Sequence, residues 1–528
     1  SNGIAIGPAI TADHHAMLLI NPHTSFFFRS ELQVTSDEGL DVYGATTWGQ
    51  FFVYQGWNRR MAWIHTSSGV DAIDEYRERV SQRGGRWVYR YGRRHFPVRT
   101  RRIVLRVKTA TGMETRTFRA LYTRHGPIVR KADSAWVSVR MMFDPRHALM
   151  ESFGRTKARD LAGFRKWMDL HANSSNNTVY ADADGHIAYW HAGFIPRRDT
   201  TFDWTKPVDG TDPRTDWHGL LTIDQSPRLL DPSGGWIYNS NNWPWSAAGA
   251  GSQRRSDFPV YVETGRAESQ RGRHALRVLT DRHGFTLDTL LAVAYDSYLP
   301  AFDTLLPPLL RAWDSLPASD PLKERLRAPI EVLRVWDYRW SAASVSTTLA
   351  IFWATEAARR STDAAARAGV TSDDYVASHG DPVVLLDALG TVCDKLTTDF
   401  GTWRTPWEEV NRFQRLTDDI APTFTDTGAS LAVPFPSARW GSLASFGARP
   451  YPYTKKWYGS SGNSFVAVVE LGDSVRARAV TAGGESGDPR SPHFNDQAGR
   501  YAAGDLRDVY FYPSQLVGHT ERSYHPGN

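Results

Sequence analysis

The sequence predicts a mixed α+β body with a helical insertion, on three observations. Short strand-like runs fill residues 1–285, the apolar period becomes helical at Thr286, and strands return after Gly441. In the first segment, Ile4–Ile6, Met17–Ile20, Phe51–Tyr54, Arg102–Lys108 and Thr117–Leu121 are short apolar runs bounded by turn residues. Asp182-Ala183-Asp184-Gly185 reads as a hairpin turn between Thr178–Ala181 and His186–Trp190. In the second segment, 286–440, Thr286 is placed to cap a helix whose apolar stripe is Leu287, Leu290, Leu291 and Val293. Helical spacing continues through Phe302–Trp313, Leu322–Val335, Ser344–Arg359 and Pro382–Phe400. In the third segment, 441–528, Ser464–Glu470 and Arg476–Val480 are strands. With no internal repeat, one body interrupted by helices fits better than domains in series.

Composition narrows the class. The 62 Lys and Arg nearly balance 57 Asp and Glu, for a net charge of +5. The densest basic run, Arg86–Arg102, alternates with Tyr89, Tyr91, Phe96 and Val98, as solvated hairpin strands do, and this argues against nucleic acid as a partner. No apolar run reaches the 18 residues of a membrane span, and Val345–Trp353 is core-like. The lone cysteine, Cys393, lies in an apolar helical pattern and excludes both an internal disulfide and a cysteine zinc site. The 20 Trp, 21 Tyr and 24 Phe imply a large aromatic interior. Phosphate-loop, nucleophile-elbow, zinc-helix and EF-hand patterns are all missing, and His14-His15 would point to opposite faces of a strand.

What remains distinctive is Ser1, a hydroxyl and an α-amine on one residue. With a pKa near 7.7–8.0, such an amine is partly unprotonated at neutral pH, so nucleophile and base can come from a single residue. A terminus of this kind follows removal of an upstream segment, by self-processing or by cleavage of a tag. Amide cleavage would further require an oxyanion hole and an acyl pocket. Three polar clusters at strand ends could contribute: Asn21-Pro22-His23, His65-Thr66-Ser67 and Asn239-Ser240-Asn241-Asn242. Each alone also reads as ordinary turn or strand-end chemistry.

Taken in order, the clusters resemble the β-subunit of the penicillin acylase family. Ser1-Asn2, Asn21-Pro22-His23, Ala62-Trp63 with His65-Thr66, Asn177–Asp182 with Gly185, Asn239 to Pro244, and Arg271-Gly272-Arg273 with Arg277 carry the likeness. So do Trp336-Asp337 and, near the end, Gly484–Pro489 followed by Ser491-Pro492-His493-Phe494. The resemblance implies a four-layer αββα sandwich of the N-terminal nucleophile hydrolases, its core formed by 1–285 and 441–528. It implies a companion α chain from the same precursor, a periplasmic or secreted location, and a small-molecule N-acyl amide substrate.

Site roles follow from the same likeness. Ser1 would attack, its amine acting as base through a bridging water. The Ser67 N–H and the Asn241 amide would form the oxyanion hole, and Arg271 would orient Asn241 and favour the neutral amine. His23 stands where penicillin G acylases carry glutamine, as in acyl-homoserine-lactone and cephalosporin acylases, and would hold the α-amine. No cofactor is implied for catalysis. A structural calcium ion is, with Asp71 and Asp74 at the matching positions. Phe26, Phe27, Phe28, Trp48 and Phe52 are candidates for the acyl pocket, although Thr46–Phe51 departs from the family's Pro-containing loop. N-acyl homoserine lactones are the first substrate choice, because of His23, and phenylacetyl- or phenoxyacetyl-type β-lactams the second. A glutaryl-type acylase, with Arg29 as a pocket cation, and a silent binding protein on the same fold are rivals. The joint presence of Ser1, Asn241 and Arg271 speaks against the last.

Overall fold

The strand Asn2–Ile6 is buried along its whole length, which requires a packed layer on each of its faces. The computed structural model, describing residues 1–132, 135–173 and 175–525, supplies both. This strand lies inside a six-stranded front sheet, ordered Trp236–Asn239, Asn2–Ile6, Ala16–Asn21, Phe465–Leu471, Val475–Thr481, Arg507–Asp508. Every neighbouring pair is antiparallel. A seven-stranded back sheet runs Arg228–Leu230, Ile187–Trp190, Asn176–Asp182, Met61–Ser67, Gln55–Asn58, Leu40–Thr47, Arg29–Ser36.

The two sheets share one apolar interior. Ala5, Leu18, Ile20 and Val469 of the front sheet meet Trp57, Ile64, Val179 and Tyr189 of the back sheet. The alternate residues Ile4, Ile6, Met17 and Leu19 face outward onto Leu279, Leu290, Val293 and Tyr501. These belong to the helices Gln270–Leu279, Leu287–Ala294 and Ala498–Ala503. On the far side, Met61, Trp63, Tyr180 and Trp190 pack on Phe164 and Met168 of the helix Leu161–Met168. The order is helix, sheet, sheet, helix: the αββα sandwich.

Thr286 caps its helix as expected, accepting from the Thr289 N–H at 3.2 Å, but that helix belongs to the outer layer of the front sheet. The separate helical cluster begins at Leu299 and reaches Trp440. Its main helices are Phe302–Asp314, Arg327–Arg334, Val345–Arg360 and Pro382–Phe400, the last carrying buried Cys393. The run expected over Leu322–Val335 divides at Leu326 into two short helices. The strand expected at Phe51–Tyr54 is a bend, and the strand is the next four residues, Gln55–Asn58. Phe52 and Val53 are buried as loop side chains. Gly56, by contrast, lies so close to its neighbour that a Cβ there would come within 2.1 Å of the Tyr43 carbonyl oxygen. No helix among the described residues is long and apolar enough to cross a membrane.

One glycine sets the distance between the sheets beside the chain's first residue. A Cβ on Gly3 would lie 2.6 Å from Ile64 Cγ2 and 3.0 Å from Val179 Cγ2. Gly3→Val is therefore expected to lower stability by about 1–3 kcal/mol through overpacking. Urea unfolding of the variant beside the parent measures this.

Candidate active site

Strand register brings the site together. Asn2 pairs with Asn21 on one side, and Gly3 pairs with Asn239 on the other. Ser1 thus sits where both neighbouring strands end, between Pro22-His23 and Ser240-Asn241. The main-chain N–H of His23 donates to Ser1 Oγ at 3.2 Å. The α-amine of Ser1 donates to Asn241 Oδ1 at 2.6 Å. Asn241 has φ +65°, a left-handed conformation that asparagine tolerates better than most residues. Its amide nitrogen reaches back to the Ser67 carbonyl at 3.1 Å. The two expected halves of the oxyanion hole, Ser67 and Asn241, are therefore neighbours. The amide's second N–H is not used by that bond.

Arg271 closes the arrangement from the first turn of the helix Gln270–Leu279, whose cap is Ser269. One guanidinium nitrogen donates to the Ser1 carbonyl and to Asn2 Oδ1, both at 2.8 Å, and the other to Asn241 Oδ1 at 3.0 Å. Burial, then the charge of Arg271, then that of Arg29 hold the Ser1 amine well below its usual pKa, which favours its neutral, basic form. Withdrawal from water brings Arg271 itself down to about 10.

His23 behaves differently from the expectation. Its main chain meets Ser1, and its ring instead accepts from Asn2 Nδ2 across 3.5 Å. Burial, followed by the nearby amine and Arg271, keeps the imidazole well below its ordinary pKa and hence neutral. The strand His23–Ser25 pairs with Ser461–Asn463.

Several residues behind the site carry it without having been singled out for a role. Asn239 Oδ1 accepts from the Asn241 N–H at 3.0 Å and from Asn177 Nδ2 at 3.2 Å, and Thr66 Oγ1 also donates to it. Asn177 further reaches the Ser67 carbonyl at 3.3 Å, tying the ends of both sheets together. Asn2 Nδ2 donates to the Leu443 carbonyl at 2.7 Å. Glu268 holds the 239–246 loop through Asn242 and Trp243, each at 2.9 Å. Asn177 and Asn239 stand inside the family-like motifs, so position was the available signal. Glu268 offered none.

Four of the five candidate pocket aromatics, Phe26, Phe27, Phe28 and Trp48, border one cavity of about 620 Å³ with Leu416 and Ile420. Phe26 is mostly a core residue, stacked on Phe446 at 5.5 Å. Phe52 is buried edge-on to Phe51 and does not line this cavity. Arg29 contacts Thr24 Oγ1 and Thr47 Oγ1, both at 3.3 Å, and has no carboxylate partner among the described residues.

An αββα sandwich with a serine amine at its centre is the architecture of an N-terminal nucleophile hydrolase. The penicillin amidase family model matches residues 1–517, and the chain belongs to that family. It is 23% identical to an acyl-homoserine lactone acylase of Pseudomonas putida and 25% identical to a penicillin acylase 2 proenzyme of a Pseudomonas species, each over 94% of this chain. The chain spans 64% and 65% of those relatives' lengths. It is also 26% identical to a penicillin G acylase of Escherichia coli, over 64% of this chain and 39% of that protein. The solved structure of a thermostable penicillin G acylase from Alcaligenes faecalis has the same fold, with a TM-score of 0.72 over 99% of each chain at 18% identity.

Asp71 and Asp74, the expected calcium ligands, converge on a guanidinium. Arg198 Nε donates to Asp74 Oδ2 at 2.9 Å, and its Nη1 lies 3.8 Å from Asp71 Oδ2. The Trp217 indole also donates to Asp74. Arg198 is wholly buried, with Trp204 and Tyr261 rings 5.2 and 5.1 Å away. Calcium takes six to eight oxygens, but among the described residues no three Asp, Glu, His or Cys side chains are grouped to hold a metal ion. Arg198 already supplies the positive charge, so this donor set does not fit calcium. Arg198→Met, which strands buried Asp74 and half-buried Asp71, is expected to cost about 3–5 kcal/mol. A chelator should leave the parent's melting temperature unchanged. Thermal melts of both proteins, with and without the chelator, check this.

Proposed function

We propose that the protein hydrolyses the amide bond of small N-acyl compounds through an acyl ester on Ser1, without a cofactor. The observation that carries this reading is the buried α-amine of Ser1, held 2.6 Å from Asn241 beside the Arg271 guanidinium, on the residue whose hydroxyl would attack. In the first half-reaction the amine takes the Oγ proton, through a water, as Oγ bonds to the substrate carbonyl carbon. The resulting oxyanion is met by the Ser67 N–H and the free N–H of Asn241. The carbon–nitrogen bond then breaks, and the proton passes from the amine to the departing nitrogen. Water repeats the sequence on the ester, releasing the acid and restoring Ser1.

N-acyl homoserine lactones are the leading substrates. Names of relatives in this family support that choice. The enzyme's remaining part would be an α chain cut from the same precursor, and its place of work the periplasm or the exterior. These follow the pattern of the family.

A panel of acyl amides graded in chain length, with acyl homoserine lactones, phenylacetyl and glutaryl compounds, tests the reading beside Ser1→Ala. That variant should lose turnover on every substrate, and persisting turnover ends the proposal. Asn241→Ala is expected to lower kcat by about 100- to 1,000-fold with an intact fold. The depressed amine pKa places the acidic limb of kcat/KM well below pH 8. Arg271→Gln removes the nearest positive charge, so the amine pKa rises and that limb moves to higher pH. Rate profiles of parent and variant from pH 5 to 9 (about 0.5-unit steps) show whether it does.

A further inference from the structure

Two elements of the candidate site come from separate parts of the chain and meet at one atom. Asn241, on the loop after the strand Trp236–Asn239, offers Oδ1 to the Ser1 amine at 2.6 Å and to Arg271 Nη2 at 3.0 Å. Arg271 belongs to the helix Gln270–Leu279. For that oxygen to stay between amine and guanidinium, loop and helix must hold one position relative to each other.

Glu268, just before the helix, joins the two. Its Oε1 accepts from Asn242 Nδ2 at 2.9 Å and from the Ser269 N–H at 2.7 Å. Its Oε2 accepts from Trp243 Nε1 at 2.9 Å, from the Tyr238 hydroxyl at 3.3 Å and from Ser246 Oγ. Four of these donors lie on the strand and loop that carry Asn241, and the fifth belongs to the residue that caps the Arg271 helix. Asn242 passes the constraint on. Its Oδ1 accepts from the Ser240 N–H at 2.9 Å, and its carbonyl accepts from Asn239 Nδ2 at 3.1 Å. Asn241 is thus held from both sides in its left-handed conformation. Gly272 makes the room, since a Cβ there would come within 1.8 Å of Glu268 Oε1.

The donors call for a carboxylate. All five are uncharged, and an ionised carboxylate presents only acceptor sites, about four of them. An amide in its place would turn an NH2 toward either the Ser269 N–H or the Trp243 indole N–H, neither of which can accept. A negative charge also suits the start of a helix.

We propose that Glu268 is a positioning residue for amide hydrolysis at Ser1: it sets Asn241 against Arg271, and with them the oxyanion hole against the nucleophile. The inference rests on the hydrolytic reading above and adds to it a residue that touches no reacting atom.

The test is a double-mutant cycle of Glu268→Gln and Asn241→Ala in the full processed enzyme, measuring kcat and KM on its best substrate from the acyl-amide panel. Glu268→Gln alone should lower kcat about 10- to 100-fold and leave KM within about threefold. On the Asn241→Ala background the same change should cost less than about threefold in kcat, because the group it positions is gone. Trp243→Phe deletes one donor and keeps the carboxylate. It should also lower kcat in the parent and be silent beside Asn241→Ala, and it carries the cycle if Glu268→Gln does not fold. Equal losses on both backgrounds, a loss confined to KM, or a parent-like kcat would overturn the role of Glu268 while Ser1-dependent turnover stands. Failure of the hydrolytic reading is told apart by the parent: it shows no turnover, or turnover that survives Ser1→Ala.

Discussion

Everything at the candidate site depends on the register of the strand Asn2–Ile6 between its two neighbours. Hydrogen bonds to Ala16–Asn21 and to Trp236–Asn239 fix where Ser1 emerges. Because strand side chains alternate, a slip of one residue would exchange the two faces, driving Ile4 and Ile6 against the back sheet. The apolar layers on both sides resist that slip. Core packing and nucleophile placement are therefore one constraint, and the absence of a side chain on Gly3 lets the sheets meet close to the reactive residue.

The electrostatics depend on what solvates Arg271. Its named partners are the Ser1 carbonyl, Asn2 and Asn241, all of them neutral dipoles. A carboxylate in any of these places would cancel the guanidinium's field and raise the amine's pKa. Amide oxygens satisfy the guanidinium's donors and leave its charge acting on the amine. Burial of Ser1 adds to the same effect. Asn241 is consequently used twice: its oxygen is shared by the amine and Arg271, and its nitrogen faces Ser67.

The fold was legible where local pattern and packing agree. The helix Pro382–Phe400 and the strands around Met17–Ile20 and Ser464–Glu470 follow from periodicity alone, whereas Phe51–Tyr54 is a loop that buries Phe52 and Val53 and leaves Phe51 exposed. At the site, Ser1, Asn241, Ser67 and Arg271 were readable because they sit in short ordered motifs. The Asn177–Asn239 bridge was not, since those residues are 62 positions apart in the chain and only sheet packing joins them. Consecutive aromatics gave a pocket only in part. Phe26–Phe28 form a turn in which Phe27 has φ +52°, so Phe26 enters the core while Phe28 reaches the surface. The basic run was legible as exposed hairpin strand.

His23 meets Ser1 through its main chain, while its ring meets Asn2. A main-chain N–H orients Ser1 Oγ, and any residue other than proline at 23 supplies one. The neighbouring Pro22 ends the strand before it, so the chain turns and presents that N–H toward the hydroxyl. The imidazole is left to work one step removed, on Asn2, whose side chain also binds Arg271 and the Leu443 carbonyl. The ring's influence on the reaction must then pass through the placement of Asn2, and with it the setting of the guanidinium that keeps the amine neutral.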